Sequence, residues 1–146
     1  MKLMGGPSRH LMWAELACHD GTPYPEAWQT TRAMLLARAF EAIRAEWSLP
    51  IAVLSAYRTP TYNAKIGGAK NSQHVQGRAL DLAPPEGVSV YDFWTRIVEI
   101  AQKAGIGGVG YAPPSEGGYV HVDIRPMPDG RLAQWRYPIG QESVAA

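Results

Sequence analysis

Four histidines occur in the chain, and two of them sit where a side chain could do chemistry. His74 ends a run of small residues in Ser72-Gln73-His74-Val75-Gln76-Gly77-Arg78-Ala79-Leu80-Asp81. His121 lies in the middle of Tyr119-Val120-His121-Val122-Asp123. Imidazole nitrogen and carboxylate oxygen both bind zinc at about 2.0–2.2 Å, and a catalytic zinc takes three protein ligands and keeps one position open. His74, Asp81 and His121 would supply such a set: one from a loop, one from the strand after it, one from a strand far along the chain. Gly77, between the first two, permits a sharp turn into the strand. The spacings match no standard zinc pattern. On residue types alone, polar side chains with satisfied hydrogen bonds therefore stand beside the metal reading. His10 and His19 fall in an irregular amino-terminal segment and are expected to be structural or surface residues.

The elements that must position these residues are legible as hydrophobic period and punctuation. Pro25 suits a first helical position. Over 26–47, Trp28, Leu35, Leu36, Ala39, Phe40, Ile43 and Trp47 recur at steps of three and four, with Arg32, Arg38, Glu41 and Glu46 between them, which predicts an amphipathic helix. Pro50 stops it, and 51–55 (Ile-Ala-Val-Leu-Ser) reads as a buried strand. Residues 58–78 are polar and small; a connection that long is usually functional or carries a short helix. A second strand is expected over 78–83. Ser89 then offers an N-cap, with Asp92 three residues on, for a helix that buries Phe93, Ile97, Val98 and Ala101 and ends at Gly105. Strands are expected at 107–111 and 119–124, and a short last one at 135–137. Mixed elements without regular strand–helix alternation predict an α+β fold, a small antiparallel sheet with flanking helices.

Composition narrows the function classes. A length of 146 residues suits one domain, taken as 1–146, with enough chain to bury a core unaided. Fourteen Lys plus Arg against thirteen Asp plus Glu leave a net charge of +1, so the basic excess of a nucleic-acid binder is missing. No apolar run reaches the roughly 18 residues of a membrane span. The first ten residues lack the apolar segment of a secretory signal. Cys18 is the single cysteine and has no internal partner. A monomer is expected.

Several motifs carry a family resemblance. Ser55-Ala56-Tyr57-Arg58-Thr59-Pro60, Tyr62-Asn63, Gly67-Gly68-Ala69 and the element from Asn71 to Asp81 resemble the zinc D-alanyl-D-alanine carboxypeptidase family. More narrowly, they are similar to its small phage and bacterial peptidase branch, within the lysostaphin, D-alanyl-D-alanine carboxypeptidase and hedgehog superfamily. Gly107-Gly108-Val109-Gly110, Tyr119 through Arg125, and the opening Glu15-Leu16-Ala17-Cys18 with Asp20-Gly21-Thr22 match the same branch, so the resemblance spans about 11–125. It implies hydrolysis of a peptide bond in the stem or cross-linking peptides of bacterial peptidoglycan. It implies Zn2+ on His74, Asp81 and His121, and an arginine, here Arg58, that anchors substrate carboxylate or stabilises the tetrahedral intermediate. Ser72 and Tyr57 fall beside these as substrate contacts. Where such a chain works stays open: an endolysin-like phage enzyme delivered without its own signal fits the expectation, as does an incomplete chain.

One position departs from the pattern. Many members carry an acidic general base three residues before the last histidine ligand, and here that residue is Gly118. Asp123 and Glu116 are the carboxylates nearby. Asp123, two residues past His121, shares its strand face and is the expected base. Glu116, in the 113–118 loop, is the alternative. The competing reading of the whole chain is a zinc-containing module, or a phage structural part, that binds cell-wall peptide without turnover.

Overall fold

The computed structural model describes residues 5–138. Its α-helices are α1 (Trp13–Leu16), α2 (Arg32–Trp47), α3 (Pro60–Lys65) and α4 (Val90–Ala104). Its strands are β1 (Val53–Ser55), β2 (Ala79–Leu82), β3 (Gly108–Ala112), β4 (Tyr119–Asp123) and β5 (Ala133–Arg136), in the sheet order β1-β2-β4-β3-β5. The fold is α+β, as the mixed elements imply. The sheet is not wholly antiparallel: β1, β2, β4 and β3 pair antiparallel, but β5 joins β3 in parallel.

Helix α2 is shorter than the sequence period suggests. Residues Glu26–Trp28 form a separate 3₁₀ turn, and Thr31 leaves helical geometry at φ −123° and ψ −89° before α2 begins. Trp28 has a competing attachment, packing edge-on against Tyr24 and Tyr57 with the Arg32 guanidinium over its ring. Tertiary packing thus overrides the continuous period. Leu36, Phe40 and Ile43 face the core, whereas Leu35 is 50% exposed rather than inward. Helix α4 follows the punctuation: Ser89 Oγ accepts from the Asp92 N–H at 3.0 Å, and Gly105 closes the helix at φ 78°.

The sheet has two faces with different tasks. Leu80, Leu82, Val120, Val122, Val109 and Tyr111 point to one side, in the same buried core as Phe40, Ile43, Phe93 and Ile97 of α2 and α4. The other face carries polar residues in lateral register. Ser55 pairs with Asp81, Asp81 with His121, His121 with Gly110, and Gly110 with Trp135, so one row crosses all five strands. Side chains on one strand face recur every second residue, which makes Gly108, Gly110 and Ala112 the residues that β3 presents there. Their smallness gives the row its space. A Cβ on Gly110 would lie 2.4 Å from Trp135 Nε1, and one on Gly108 would lie 2.6 Å from both carboxylate oxygens of Asp123.

Overpacking a filled interior typically costs about 1–3 kcal/mol. Gly108→Ala is therefore expected to lower the denaturant midpoint by an amount in that range, since neither Asp123 nor the Arg125 Nε at 2.7 Å has room to retreat. An unchanged midpoint in equilibrium unfolding would show that the strand yields instead.

Candidate metal centre

The loop before β2 is built to deliver His74. Thr59 caps α3 by accepting the Tyr62 N–H at 3.1 Å, and Pro60 stands at the first helical turn, so the long polar connection does carry a short helix. The Arg58 N–H donates to the His74 carbonyl at 3.1 Å, and the Gly77 N–H reaches the same oxygen at 3.1 Å. Gly77 then turns at φ 68°, a left-handed conformation that glycine adopts at little cost. The Tyr24 hydroxyl donates to its carbonyl at 2.7 Å. Asp81 and His121 come from the central pair β2 and β4.

His74, Asp81 and His121 are all buried, and one ligand atom from each lies within 4.8 Å of the others. Asp81 Oδ1 stands 3.1 Å from His74 Nε2 and 3.0 Å from His121 Nδ1. Ligands at about 2.0–2.2 Å on a tetrahedral zinc stand roughly 3.3–3.6 Å apart, so the two carboxylate–imidazole separations are slightly shorter than that spacing. The far ring nitrogens decide the chemistry. His74 Nδ1 lies 2.6 Å from the Ala56 carbonyl, which only accepts, so Nδ1 carries the proton. His121 Nε2 lies 2.7 Å from Asp123 Oδ2, and an ionised carboxylate likewise only accepts. In both neutral rings the remaining lone pair then points at the Asp81 carboxylate. Three electron-pair donors meeting in a buried place call for a cation, and the residues fit a metal ion of zinc's preferences.

The electrostatics agree. Burial alone would raise the Asp81 pKa, but the two imidazoles outweigh it and hold the carboxyl below the usual carboxylate range. Burial pulls His74 down, towards the neutral ring that a metal needs. Burial also pulls His121 down, but its hydrogen bonds to Asp123 and Asp81 win and raise it to about 9.

Asp123 lies behind the His121 ring, at the nitrogen opposite the one facing Asp81. It is fully buried, and Arg125 grips it with Nε on Oδ1 and a terminal nitrogen on Oδ2, each at 2.8 Å. The geometry speaks against Asp123 as a base for water at the metal position. Its oxygens are occupied, and the imidazole stands between. A carboxylate in this place fixes the tautomer of a ligand histidine.

The other expected site residues divide. Arg58 reaches Asp81 Oδ2 at 3.4 Å and is itself held by Ser55 Oγ and Asn63 Oδ1, both at 3.2 Å. Ser72 is buried, and its Oγ accepts the His74 N–H at 3.1 Å. Arg58, Ser72 and Glu116 all line a cavity of about 970 Å³ beside the three ligands. Tyr57 does not; it packs with Tyr24 and Trp28 away from that cavity, as support for the loop rather than a substrate contact. The 113–118 segment is an ordered turn, with the Glu116 and Gly118 N–H groups on the Pro113 carbonyl at 2.8 and 3.0 Å. Gly118 sits at φ 65°. His10 pairs with Glu41 at 2.7 Å, away from the cluster. Sequence reasoning gave no role to Asn63, Arg125 and Trp135. Asn63 and Arg125 had left a sign, since both fall in the motifs that carry the family resemblance.

Comparison with known proteins gives the family. The peptidase M15 family model matches residues 9–123, and the chain belongs to that family. It is also similar to the probable peptidoglycan L,D-endopeptidase MepK of Haemophilus influenzae, at 35% identity over 82 residues. That match takes in 53% of this chain and 40% of the relative, so the chain spans less than half the length of this curated relative. Among the described residues no helix is long and apolar enough to cross a membrane.

Metal ligation requires the neutral His121 ring, so uptake displaces its proton below about pH 9. At pH 7, zinc binding is expected to release about one proton, and apparent affinity to fall about tenfold per unit of further acidification. Calorimetry in buffers of different ionisation enthalpy measures the release; a value of zero would contradict this protonation scheme.

Proposed function

We propose that the protein is a zinc-dependent peptidase that hydrolyses a peptide bond in the stem or cross-linking peptides of bacterial peptidoglycan. The observation that carries the reading is the meeting of three lone pairs, from His74, Asp81 and His121, on the wall of an open cavity in a chain of the peptidase M15 family. The name of the Haemophilus influenzae relative supports an internal bond of the wall peptide over a carboxy-terminal one. Zinc, when bound, lowers the pKa of water towards about 7 and polarises a carbonyl.

The chain's own residues divide the remaining work. Arg58, pinned by Ser55 and Asn63, sets a fixed cation beside the ligands for a substrate carboxylate or developing negative charge. Lysine keeps that charge but loses the planar fork. Glu116, exposed on the cavity wall, is the carboxylate left to accept the proton of the attacking water and pass it to the leaving amine. Asp123 and Arg125 hold the His121 ring in its ligating tautomer. The peptide-binding module without turnover is favoured by one observation, the absence of an acid at Gly118. Glu116, two residues earlier, answers it.

Purified protein is expected to clear a suspension of bacterial cell walls, to stop in the presence of a chelator and to recover with zinc. Alanine at His74, Asp81 or His121 should abolish the clearing and strip the metal. Clearing that survives both chelator and His121→Ala would refute the metal reading. A binder without turnover would sediment with walls and clear nothing. The two carboxylates separate by a different pair of measurements. Glu116→Gln should cut turnover by about 10²–10⁴ with zinc retained, and Asp123→Asn should weaken zinc binding by about 10–100-fold. The reverse pattern would return the base to Asp123. For Arg58→Lys, turnover on defined wall peptides should fall while zinc content stays full, and unchanged kinetics would remove Arg58 from the site.

A further inference from the structure

Beside the row that carries the ligands runs a second row with two phenols in it. Tyr119, two residues before His121 on β4, pairs with Ala112 of β3. The parallel register of β5 continues past Trp135 and Arg136 to Tyr137, whose N–H donates to the Tyr111 carbonyl at 2.9 Å. Tyr119 and Tyr137 thus flank Ala112 from either side. Their rings meet with centroids 5.7 Å apart, and both line the cavity that holds the metal ligands. Each is close enough to feel the charges of Asp81 and Arg58.

The hydroxyls are notable for what they do not do. Among the described residues, neither hydroxyl donates a hydrogen bond. The charged donors on this wall are committed or exposed. Arg58 donates to Ser55, Asn63 and Asp81, and Arg125 spends its guanidinium on Asp123. Lys70 is exposed at the rim. The Trp135 N–H is sealed from solvent and faces the Tyr137 hydroxyl oxygen, so it is spent there and leaves the phenol's own proton free to donate. The two phenols put neutral O–H groups on the wall of the cavity that the three candidate ligands share.

We propose that Tyr119 and Tyr137 form a pair of hydroxyl donors that bind the carbonyl oxygen of the scissile peptide bond as negative charge develops on it. The inference rests on the peptide hydrolysis proposed above and adds residues to it. A phenol keeps its proton well past neutral pH. It therefore offers a hydrogen bond without adding charge to a wall that already holds two arginines. Donors fixed in advance in a partly dry site gain strength when the oxygen becomes anionic, because no solvent must reorganise. The contact between the rings over Ala112 supplies that fixing.

The test uses zinc-loaded protein and a phosphinate peptide, whose tetrahedral phosphorus and anionic oxygens imitate the tetrahedral carbon and its oxyanion. Tyr119→Phe and Tyr137→Phe keep the rings and remove the hydroxyls. Each is expected to weaken phosphinate binding about 10²-fold by calorimetry, and to lower kcat on a defined wall peptide by a similar factor. KM, zinc content and unfolding midpoint should stay as in the wild type. Phenylalanine variants that bind phosphinate as tightly as the wild type would overturn the pair, as would losses confined to KM or zinc content. A zinc-loaded wild type that binds no phosphinate would also overturn it. A wild type that binds phosphinate through the hydroxyls yet releases nothing from cell walls would sink the hydrolytic reading and leave the donor pair standing.

Discussion

Three lone pairs aimed at one buried point are a conflict that the surrounding structure must keep in place. A carboxylate and two neutral imidazoles repel unless a cation or a proton stands between them, and burial denies them water as a screen. The tautomers that create the conflict are imposed from outside by the Ala56 carbonyl on His74 and the Asp123 carboxylate on His121. Asp123 in turn is a fully buried anion, and it is tolerable only because Arg125 neutralises it through two charge-assisted contacts. Arg125 rests over the Trp135 ring at 4.9 Å. Each group thus makes the next one necessary, and the chain of dependence ends at the sheet edge.

The sheet can host this because its two faces have separate duties. One is sealed under α2 and α4 by aliphatic and aromatic side chains, which fixes the strands rigidly. The other presents the ligands from its central strands, where backbone pairing on both sides limits movement. Strand β3 is what lets them fit. By showing Gly108, Gly110 and Ala112 to that face, it leaves room for Asp123, for Trp135 and for the meeting of the two phenols. Larger residues at these places would close the row from within.

The loop side follows a different logic, since no ladder holds it. There, polar side chains do the tethering. Asn63 accepts from Arg58, and its amide donates to the Ala69 carbonyl at 2.8 Å, tying α3 to the segment that leads to His74. Aromatic packing of Tyr24, Trp28 and Tyr57 supports the turn at Gly77 from beneath. At the cavity's other wall, Gly118 adopts a left-handed φ, and Glu116 lies in the short 3₁₀ turn just before it.

Much of this was legible without coordinates. The strands at 107–111 and 119–124, the Ser89 cap and the Gly105 stop are local signals, whereas the trio of His74, Asp81 and His121 was picked out by the family resemblance. Period and capping chemistry are written in neighbouring residues. Other features could not be read that way. The break between Trp28 and Arg32 came from aromatic contacts with residues distant in sequence. The parallel addition of β5 depended on where the chain returned after β4. The same-face argument for Asp123 was sound as strand geometry, yet it left open which ring nitrogen the carboxylate would meet. Only the packed structure, with Arg125 folded back upon Asp123, decided that. Sequence period determines which way a side chain points; what it meets there is set by chain segments that period does not connect.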